Sequence, residues 1–358
     1  MVTRIVQIGL GYWGPNLLRN LVSLQGVEVP YICDLDNERA QRIAARISPQ
    51  TQVISDVSVL MDDPNVDAAV IATPIHTHYR IARDLLSAGK HVFVEKPLAS
   101  SVTECEELVT LAEAAQLTLM VGHVFEYNSA VHRIKEYVDN GELGTLFYIY
   151  SQRLNLGRIQ RDINSMWSFA PHDLSIMNYW LGDEPERVAA RGFSFLNHGI
   201  DDVVFMTLEY PNDVRAHLHL GWLDPRKVRQ MTLVGSKKMV VYDDVSTDAK
   251  IQLYDKGITD LDAYFDSPDS FAEFQFQIRQ GDVTIPRIRF EEPLRTECEH
   301  FVSCIRTGET PRTDGHNGLR VVKILEAAEK SLAQGGVTVT INDAVETTLN
   351  ATSSVSRQ

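Results

Sequence analysis

Sulfur is scarce in this chain: four cysteines in 358 residues, none in a C-x-x-C pair, exclude a disulfide-stapled scaffold and a thiolate metal cage. Cys33, Cys105, Cys298 and Cys304 are read as free thiols of a reducing cytoplasm. Long apolar runs are also missing, so no bilayer span is expected, and no secretory leader is read ahead of the first strand. Basic charge is short. The 34 Lys and Arg stand against 48 Asp and Glu, and the net charge of −14 argues against nucleic-acid or anionic-membrane partners. An anionic small ligand stays possible, because it needs only a local arginine or a helix terminus. What remains is an ordinary globular composition, 44% hydrophobic and 23% charged, on a chain long enough for two domains. No internal repeat is visible.

What is present starts at once. Residues 5–8 form an apolar run that reads as a buried parallel strand, and Gly9-Leu10-Gly11-Tyr12-Trp13-Gly14 follows it directly. A helical pattern with Leu17, Leu18, Leu21 and Val22 on one face comes next, with Pro15 in its first turn, where a missing N–H costs nothing. In this context Gly9 permits a tight turn, Gly11 lets a pyrophosphate approach the backbone, and Gly14 lets helix and strand pack closely. Residues 27–33 read as the second strand, and Asp34 follows, twenty positions after Gly14. A carboxylate there accepts both ribose hydroxyls of an adenosine and repels a 2′-phosphate. Because Leu35, Asp36 and Asn37 come next rather than an arginine, the expected cofactor is NAD in preference to NADP. Gly9, Gly11, Tyr12, Trp13, Gly14 and Asp34 are the cofactor-binding candidates.

Strand and helix then alternate through residue 121: strands over 66–72, 91–94 and 117–121, helices over 76–88 and from Ser101 to about 115. Ser101-Val102-Thr103-Glu104 has a capping-box spacing, and Gly89 stops the preceding helix. Units of this length predict a doubly wound parallel sheet, a Rossmann domain over 1–122. Beyond Gly122 the rhythm changes. A helix over 129–139 leads to a strand over 146–153, and five further strand patterns lie between 187 and 242 without helices between them. Alternation such as Arg215-Ala216-His217-Leu218-His219-Leu220 fits an open-faced, mostly antiparallel sheet. Helices over 294–307 and 318–334 close an α+β domain expected over 123–345, before a tail over 346–358 expected to be disordered. The fold class is α/β. His76 and His78, like His217 and His219, stand two apart without an evident third ligand, so no metal site is expected.

Glu95-Lys96-Pro97 lies at the carboxyl end of a parallel strand, where ligands of such sheets bind. Lysine suits acid–base work there, because burial or a neighbouring cation brings an amine toward neutrality. With these residues in place, the chain resembles the glucose–fructose oxidoreductase, inositol dehydrogenase and rhizopine catabolism family. The matching elements are the glycine loop, Asp34, Ala72-Thr73-Pro74 with His78, Gly89-Lys90-His91-Val92 running into Glu95-Lys96-Pro97, Asn140-Gly141-Glu142-Leu143-Gly144, and Pro171-His172 with Leu181-Gly182. They cover roughly residues 2 to 340. The resemblance implies a Rossmann domain followed by an open-faced α/β domain whose sheet mediates homodimers or homotetramers. It implies reversible hydride transfer between a nicotinamide cofactor and a sugar or cyclitol hydroxyl. It places Thr73, Pro74, His78, Glu95 and Lys96 beside the cofactor, makes Lys96 the acid/base group, and puts His172 beside the substrate. The family's usual aspartate four residues before that histidine is Ser168 here, and Asp173 is considered in its stead.

Arg153, Arg158 and Arg161 fall near Asn155, Gln160 and Asn164, and guanidinium groups bind phosphate or carboxylate bidentately. A solvated basic loop is the other reading. His123, Glu126 and Tyr127 follow the last Rossmann strand and are expected to line the cleft. The segment 122–128 and the arginine stretch are similar to members acting on nucleotide sugars, UDP-N-acetylglucosaminuronate 3-dehydrogenases among them. A cyclitol or free-sugar dehydrogenase, a redox-neutral NAD-dependent glycosidase or lyase, and a non-catalytic NAD-binding protein are the alternatives.

Overall fold

The computed structural model describes residues 2–157, 159–160, 162–196, 198–258 and 278–341. The chain enters the first of two compact units twice: Met1–Asn128 and Glu291–Glu326 make up one unit, Ser129–Phe290 and Ala327–Gln358 the other. The single boundary drawn at Gly122 does not anticipate this return. The expected tail over 346–358 lies outside the described residues.

In chain order the strands are β1 (Thr3–Ile8), β2 (Val27–Glu28), β3 (Tyr31–Cys33), β4 (Gln52–Ile54), β5 (Ala68–Ile71), β6 (His91–Glu95), β7 (Leu119–Gly122), β8 (Leu146–Leu154), β9 (Arg187–Phe193), β10 (Val203–Glu209), β11 (Arg215–Gly221), β12 (Val228–Gly235), β13 (Met239–Asp243), β14 (Ile251–Ile258), β15 (Ile278–Thr284) and β16 (Val339–Thr340). The α-helices are α1 (Gly14–Ser23), α2 (Asn37–Ile47), α3 (Ile75–Ser87), α4 (Val102–Ala115), α5 (Ser129–Asp139), α6 (Ser165–Leu181), α7 (Pro293–Thr307) and α8 (Gly315–Ala333).

In the first unit the sheet order is β4-β3-β1-β5-β6-β7 with β2 beside β1, and every pairing is parallel. This is the doubly wound sheet the sequence predicts. The strand expected over 27–33 is interrupted, because Pro30 has no N–H to give to a ladder. Ile5, Val70 and Phe93 from β1, β5 and β6 are buried against Leu17 and Leu21 of α1 and Phe301 of α7. The Phe93 and Phe301 rings meet edge-on with centroids 5.7 Å apart. The cofactor-type half of the molecule thus takes core residues from both ends of the sequence. At α4 the Ser101 hydroxyl caps the Glu104 N–H at 3.3 Å, but the Glu104 carboxylate takes Ser100 (N–H 3.0 Å, hydroxyl 2.7 Å) instead of closing the reciprocal box.

In the second unit the described strands form the order β15-β14-β13-β12-β8-β11-β10-β9-β16. All pairings are antiparallel except β8 with β11, so the expectation of a mostly antiparallel sheet holds. Side chains alternate across it. Val204, Met206 and Leu208 of β10 are buried beside Ala216, Leu218 and Leu220 of β11, while Phe205 and His217 point outward. Helix α6 packs on β10 and β11. Trp180 of α6 donates its indole N–H to the Val131 carbonyl of α5 at 2.9 Å and meets Tyr242 edge-on. The opposite face keeps Tyr148, Tyr150, Phe193 and Phe205 exposed.

The glycine loop separates steric from ligand demands. Gly9 has φ +87°, and a Cβ there would lie 2.5 Å from the Ala72 carbonyl oxygen. A Cβ on Gly14 would lie 2.2 Å from the Gly9 oxygen, whereas one on Gly11 meets nothing within 4 Å. Gly9→Ala is therefore expected to cost about 2–4 kcal/mol in chemical denaturation. Gly11→Ala should stay within about 0.5 kcal/mol of the parent while weakening NAD. Equal losses in the two variants would refute this division.

Candidate active site

The first half of the site is backbone. β1 runs directly into Gly9, whose N–H donates to the Cys33 carbonyl at 2.8 Å, so the turn is bonded to the end of β3. Beneath the turn Gln7, fully buried, donates to the Gly9 carbonyl at 3.0 Å. Trp13 is the N-cap of α1 and makes no side-chain capping bond; its carbonyl accepts the Asn16 N–H at 2.9 Å, and Pro15 has no N–H to give. A helix N-terminus behind a loop stripped of Cβ at Gly11 fits a pyrophosphate. Asp34, 7% exposed, stands past β3 with Oδ2 accepting the Leu10 N–H at 2.6 Å. These residues fit an NAD-type dinucleotide, held at the pyrophosphate by the loop and at the adenosine ribose by Asp34.

The second half lies at the carboxyl end of β6. Glu95 pairs in register with Gly122 of β7, so Lys96 and His123 are the first residues beyond two neighbouring strands. The Lys96–Pro97 peptide is cis. His78 of α3 pins this turn: its Nδ1 lies 2.9 Å from the Pro97 carbonyl and its Nε2 2.9 Å from the Thr73 carbonyl. The Glu95 carboxylate accepts the Lys96 N–H at 3.2 Å and the Trp13 indole, and burial raises its pKa to about 7. Trp13 thereby links the glycine loop to the Glu-Lys-Pro turn. Tyr12, by contrast, is 82% exposed.

Beside that turn the sequence leads to an expectation of cleft-lining side chains, and the structure gives a buried polar network. His123, Glu126 and Tyr127 are 1%, 1% and 2% exposed. They form a short 3₁₀ turn packed on α7, which hides what the sequence expected to line a cleft. Asn317 joins two of them. Its Nδ2 donates to Glu126 at 3.0 Å, so its Oδ1 accepts from His123 Nδ1 at 2.6 Å and fixes that imidazole as the Nδ1–H tautomer. Burial holds the His123 pKa down to about 4 and pushes that of Glu126 up to about 8. Glu297 of α7 is fully buried, neither carboxylate oxygen has a bonding partner among the described residues, and burial drives its pKa well above the carboxylate range. Asn317 and Glu297 are not among the sequence candidates. Glu297 does leave a trace, a carboxylate on the apolar stripe Leu294, Cys298 and Phe301.

In the second unit His172 sits inside α6. Pro171 suggests a helix start, yet the N-cap is Asn164, whose Oδ1 accepts from the Trp167 N–H at 3.0 Å. Asn164, expected at the substrate, also donates to Glu329 at 3.1 Å. Arg153 is no surface anion binder. It is 5% exposed and gives both Nε (2.9 Å) and Nη2 (2.6 Å) to Asp173, which also accepts the Ser151 hydroxyl at 2.8 Å. Asp173 is committed to that ion pair and does not replace the missing aspartate. Ser168 accepts from the Gln160 amide at 3.0 Å. Arg158 and Arg161 lie outside the described residues. His217 and His219 share the outer sheet face with Phe205, stacked on its ring at 6.4 and 4.5 Å. Among the described residues no group of three or more His, Cys, Asp or Glu is placed to hold a metal ion, and no helix is long and apolar enough to cross a membrane.

Comparison with known proteins decides the family. An NAD-binding Rossmann-fold oxidoreductase model matches residues 3–123, and the GFO/IDH/MocA C-terminal domain model matches residues 131–241. The chain belongs to the GFO/IDH/MocA oxidoreductase family. Its first unit is accordingly an NAD-binding domain. Within this family the chain is 27% identical to a 2,7-anhydro-N-acetylneuraminate hydratase of Escherichia coli, over 60% of this chain and 60% of that protein. It thus spans about three fifths of that relative's length. A myo-inositol 2-dehydrogenase of Thermotoga maritima is 23% identical over 92% of this chain and 96% of its own. Among solved structures, a UDP-N-acetylglucosamine 3-dehydrogenase from Acidithiobacillus ferrooxidans shares the fold, with TM-score 0.77, 22% identity, and 93% and 98% coverage.

The raised pKa of Glu126 has a stability consequence. A folded-state value of about 8 against 4.5 means that protonated Glu126 contributes stability that is full below the lower value and lost as the pH rises through the upper one. Glu126→Gln keeps the bond from Asn317 without the ionisation. Its melting temperature relative to the parent should rise by at least about 2 °C between roughly pH 5.5 and pH 9 in thermal scans. A pH-independent difference would show that Glu126 is ionised in the fold.

Proposed function

We propose that the chain is an NAD-dependent dehydrogenase acting on a secondary hydroxyl of a sugar, with a nucleotide-linked sugar such as UDP-N-acetylglucosaminuronate as the first candidate. The observation that carries this reading is the placement of Lys96, on a turn at the carboxyl end of β6 that His78 and Glu95 hold in place. Bound NAD supplies the hydride acceptor. Lys96 removes the hydroxyl proton as the carbon–hydrogen bond is broken, and returns it in the reverse direction. His172 is the second proposed proton-handling group, on the second unit. The nucleotide-sugar candidate draws support from the shared fold of the UDP-N-acetylglucosamine 3-dehydrogenase. It loses the support of Arg153, which is spent on Asp173.

A second reading has its own observation. The Escherichia coli relative is a hydratase, so a chain that uses NAD transiently and returns it oxidised is the rival. Absorbance at about 340 nm separates the two, with NAD supplied to the enzyme together with UDP-N-acetylglucosaminuronate, other nucleotide sugars, myo-inositol or free hexoses. NADH growth with a nucleotide sugar supports the first reading. Product without NADH, on enzyme carrying tightly held cofactor, supports the second. In either case Lys96→Met should lower turnover by roughly 10²–10⁴ with NAD affinity kept. Unchanged turnover would remove Lys96 from the chemistry.

We further propose that the exposed sheet face joins a second copy of the chain. Tyr148, Tyr150, Phe193 and Phe205 are 45%, 38%, 44% and 38% exposed there, a large apolar patch for a lone protein. Light scattering after size exclusion should give a dimer or tetramer, and Tyr150→Asp with Phe205→Asp should give a monomer. A monomeric parent would discard the idea.

A further inference from the structure

Glu297 has no role in the chemistry described so far, yet the fold carries it at the centre of a core. It is fully buried within the apolar stripe of α7, and neither of its oxygens has a bonding partner among the described residues. An acid left unbonded in such a place destabilises the fold. Two periodicities fix where it faces. Glu95 stands two residues after Phe93 on β6, so both project from one face of the sheet. Phe93 meets Phe301 of α7 on that face, and Glu297 lies one helical turn before Phe301. The two carboxyls therefore face each other across the contact between β6 and α7. Glu95 leans over Gly122, where a Cβ would lie 3.0 Å from its carboxyl carbon, so the glycine leaves room for the acid. The Glu95 oxygens accept the Lys96 N–H and the Trp13 indole, and a carboxylate has lone pairs to spare beyond those two bonds.

We propose that internal water bridges these two acids, and that Glu297 is thereby a positioning residue for Glu95: its carboxylic acid donates to the water, and the water donates to the Glu95 carboxylate. Polar groups that face each other in a core without a direct bond are the setting in which buried water is held. Glu126 adds a third acid at the same place. It and Tyr127 face Glu297 from the 3₁₀ turn, Glu95 faces it from β6, and Cys298 stands beside it on α7. Burial first, then the charges of Glu95 and Glu126, drive the Glu297 pKa well above the carboxylate range, so it keeps the proton that it donates. A bond donated to a carboxylate favours its charged form. Burial lifts Glu95 toward neutrality, and the Lys96 charge opposes that. Glu297 acts in the same direction as Lys96, so an anion is kept next to the lysine. What this does for catalysis rests on the Lys96 reading; the placement of Glu297 does not.

The test reads Glu95 without substrate or cofactor. In isotope-labelled full-length protein the NMR resonance of the Trp13 indole N–H, assigned with Trp13→Phe, should titrate with Glu95 at a midpoint of about 7. Glu297→Met, which fills the place of the acid without a donor, should raise that midpoint by about one pH unit, a tenfold change in proton affinity. Glu297→Gln, whose amide still donates to water, should stay within about 0.3 of a unit of the parent. A crystal structure of the parent should show ordered water within hydrogen-bond distance of both Glu297 and Glu95, and it carries the test alone if Glu297→Met does not fold. Four results overturn the inference. An unmoved midpoint in Glu297→Met makes Glu297 a silent core acid, and a lowered one makes it a charge that repels Glu95. Glu297→Gln shifting as far as Glu297→Met shows that no donor is needed. A dry gap between the two acids removes the bridge. Failure of the dehydrogenase reading would alter none of these outcomes, since only the titration of Glu95 and the water beside it are measured.

Discussion

The closeness of Gly14 to Gly9 is the constraint on which the cofactor half depends. The chain has to turn from β1 into α1 within a space that would place a Gly14 Cβ 2.2 Å from the Gly9 oxygen. Only that spacing lets the start of α1 sit directly against the strand end. Gln7 holds the same Gly9 carbonyl from below, and the Gly9 N–H reaches the end of β3. Asp34, one residue beyond, is in turn bonded back to Leu10 of the loop. Turn, helix end and acid are one bonded unit.

From that unit Trp13 reaches the Glu95 carboxylate, and behind Glu95 lies an interior with more acid than an apolar core tolerates. Glu126 and Glu297 are held with their protons by burial, and His123 is held without one. The three stay together because each is kept neutral, which spares the core an uncompensated charge. Lys96 follows directly on Glu95 at the rim of this region. The carboxyl end of the parallel sheet is therefore densely polar just below the surface.

Much of this was legible in the sequence, and the misses share a cause. The glycine loop, Asp34 and the strands of the parallel sheet declare themselves locally, through spacing and apolar runs. The Ser101 cap does too. What escaped notice depends on partners far apart in the chain or on a helical return. Arg153 reads as a ligand for anions until Asp173, twenty residues on, is found against it. Asn317 meets His123 across 194 positions. α6 runs through Pro171, because the helix begins at the Asn164 cap and packs on β10 and β11 of its own sheet.

The chain's return to the first unit has a consequence for how that unit comes to exist. Phe301 closes its core, Glu292 meets Arg19 in an ion pair, and Asn317 fixes the imidazole of His123. All three arrive late in synthesis, after every strand of the second unit's sheet except β16 has been made. The dinucleotide half is first to be translated and among the last to be completed. During that interval the nascent first unit carries an unclosed apolar face. Fusion partners or breaks placed near residue 128 would strand it in that state.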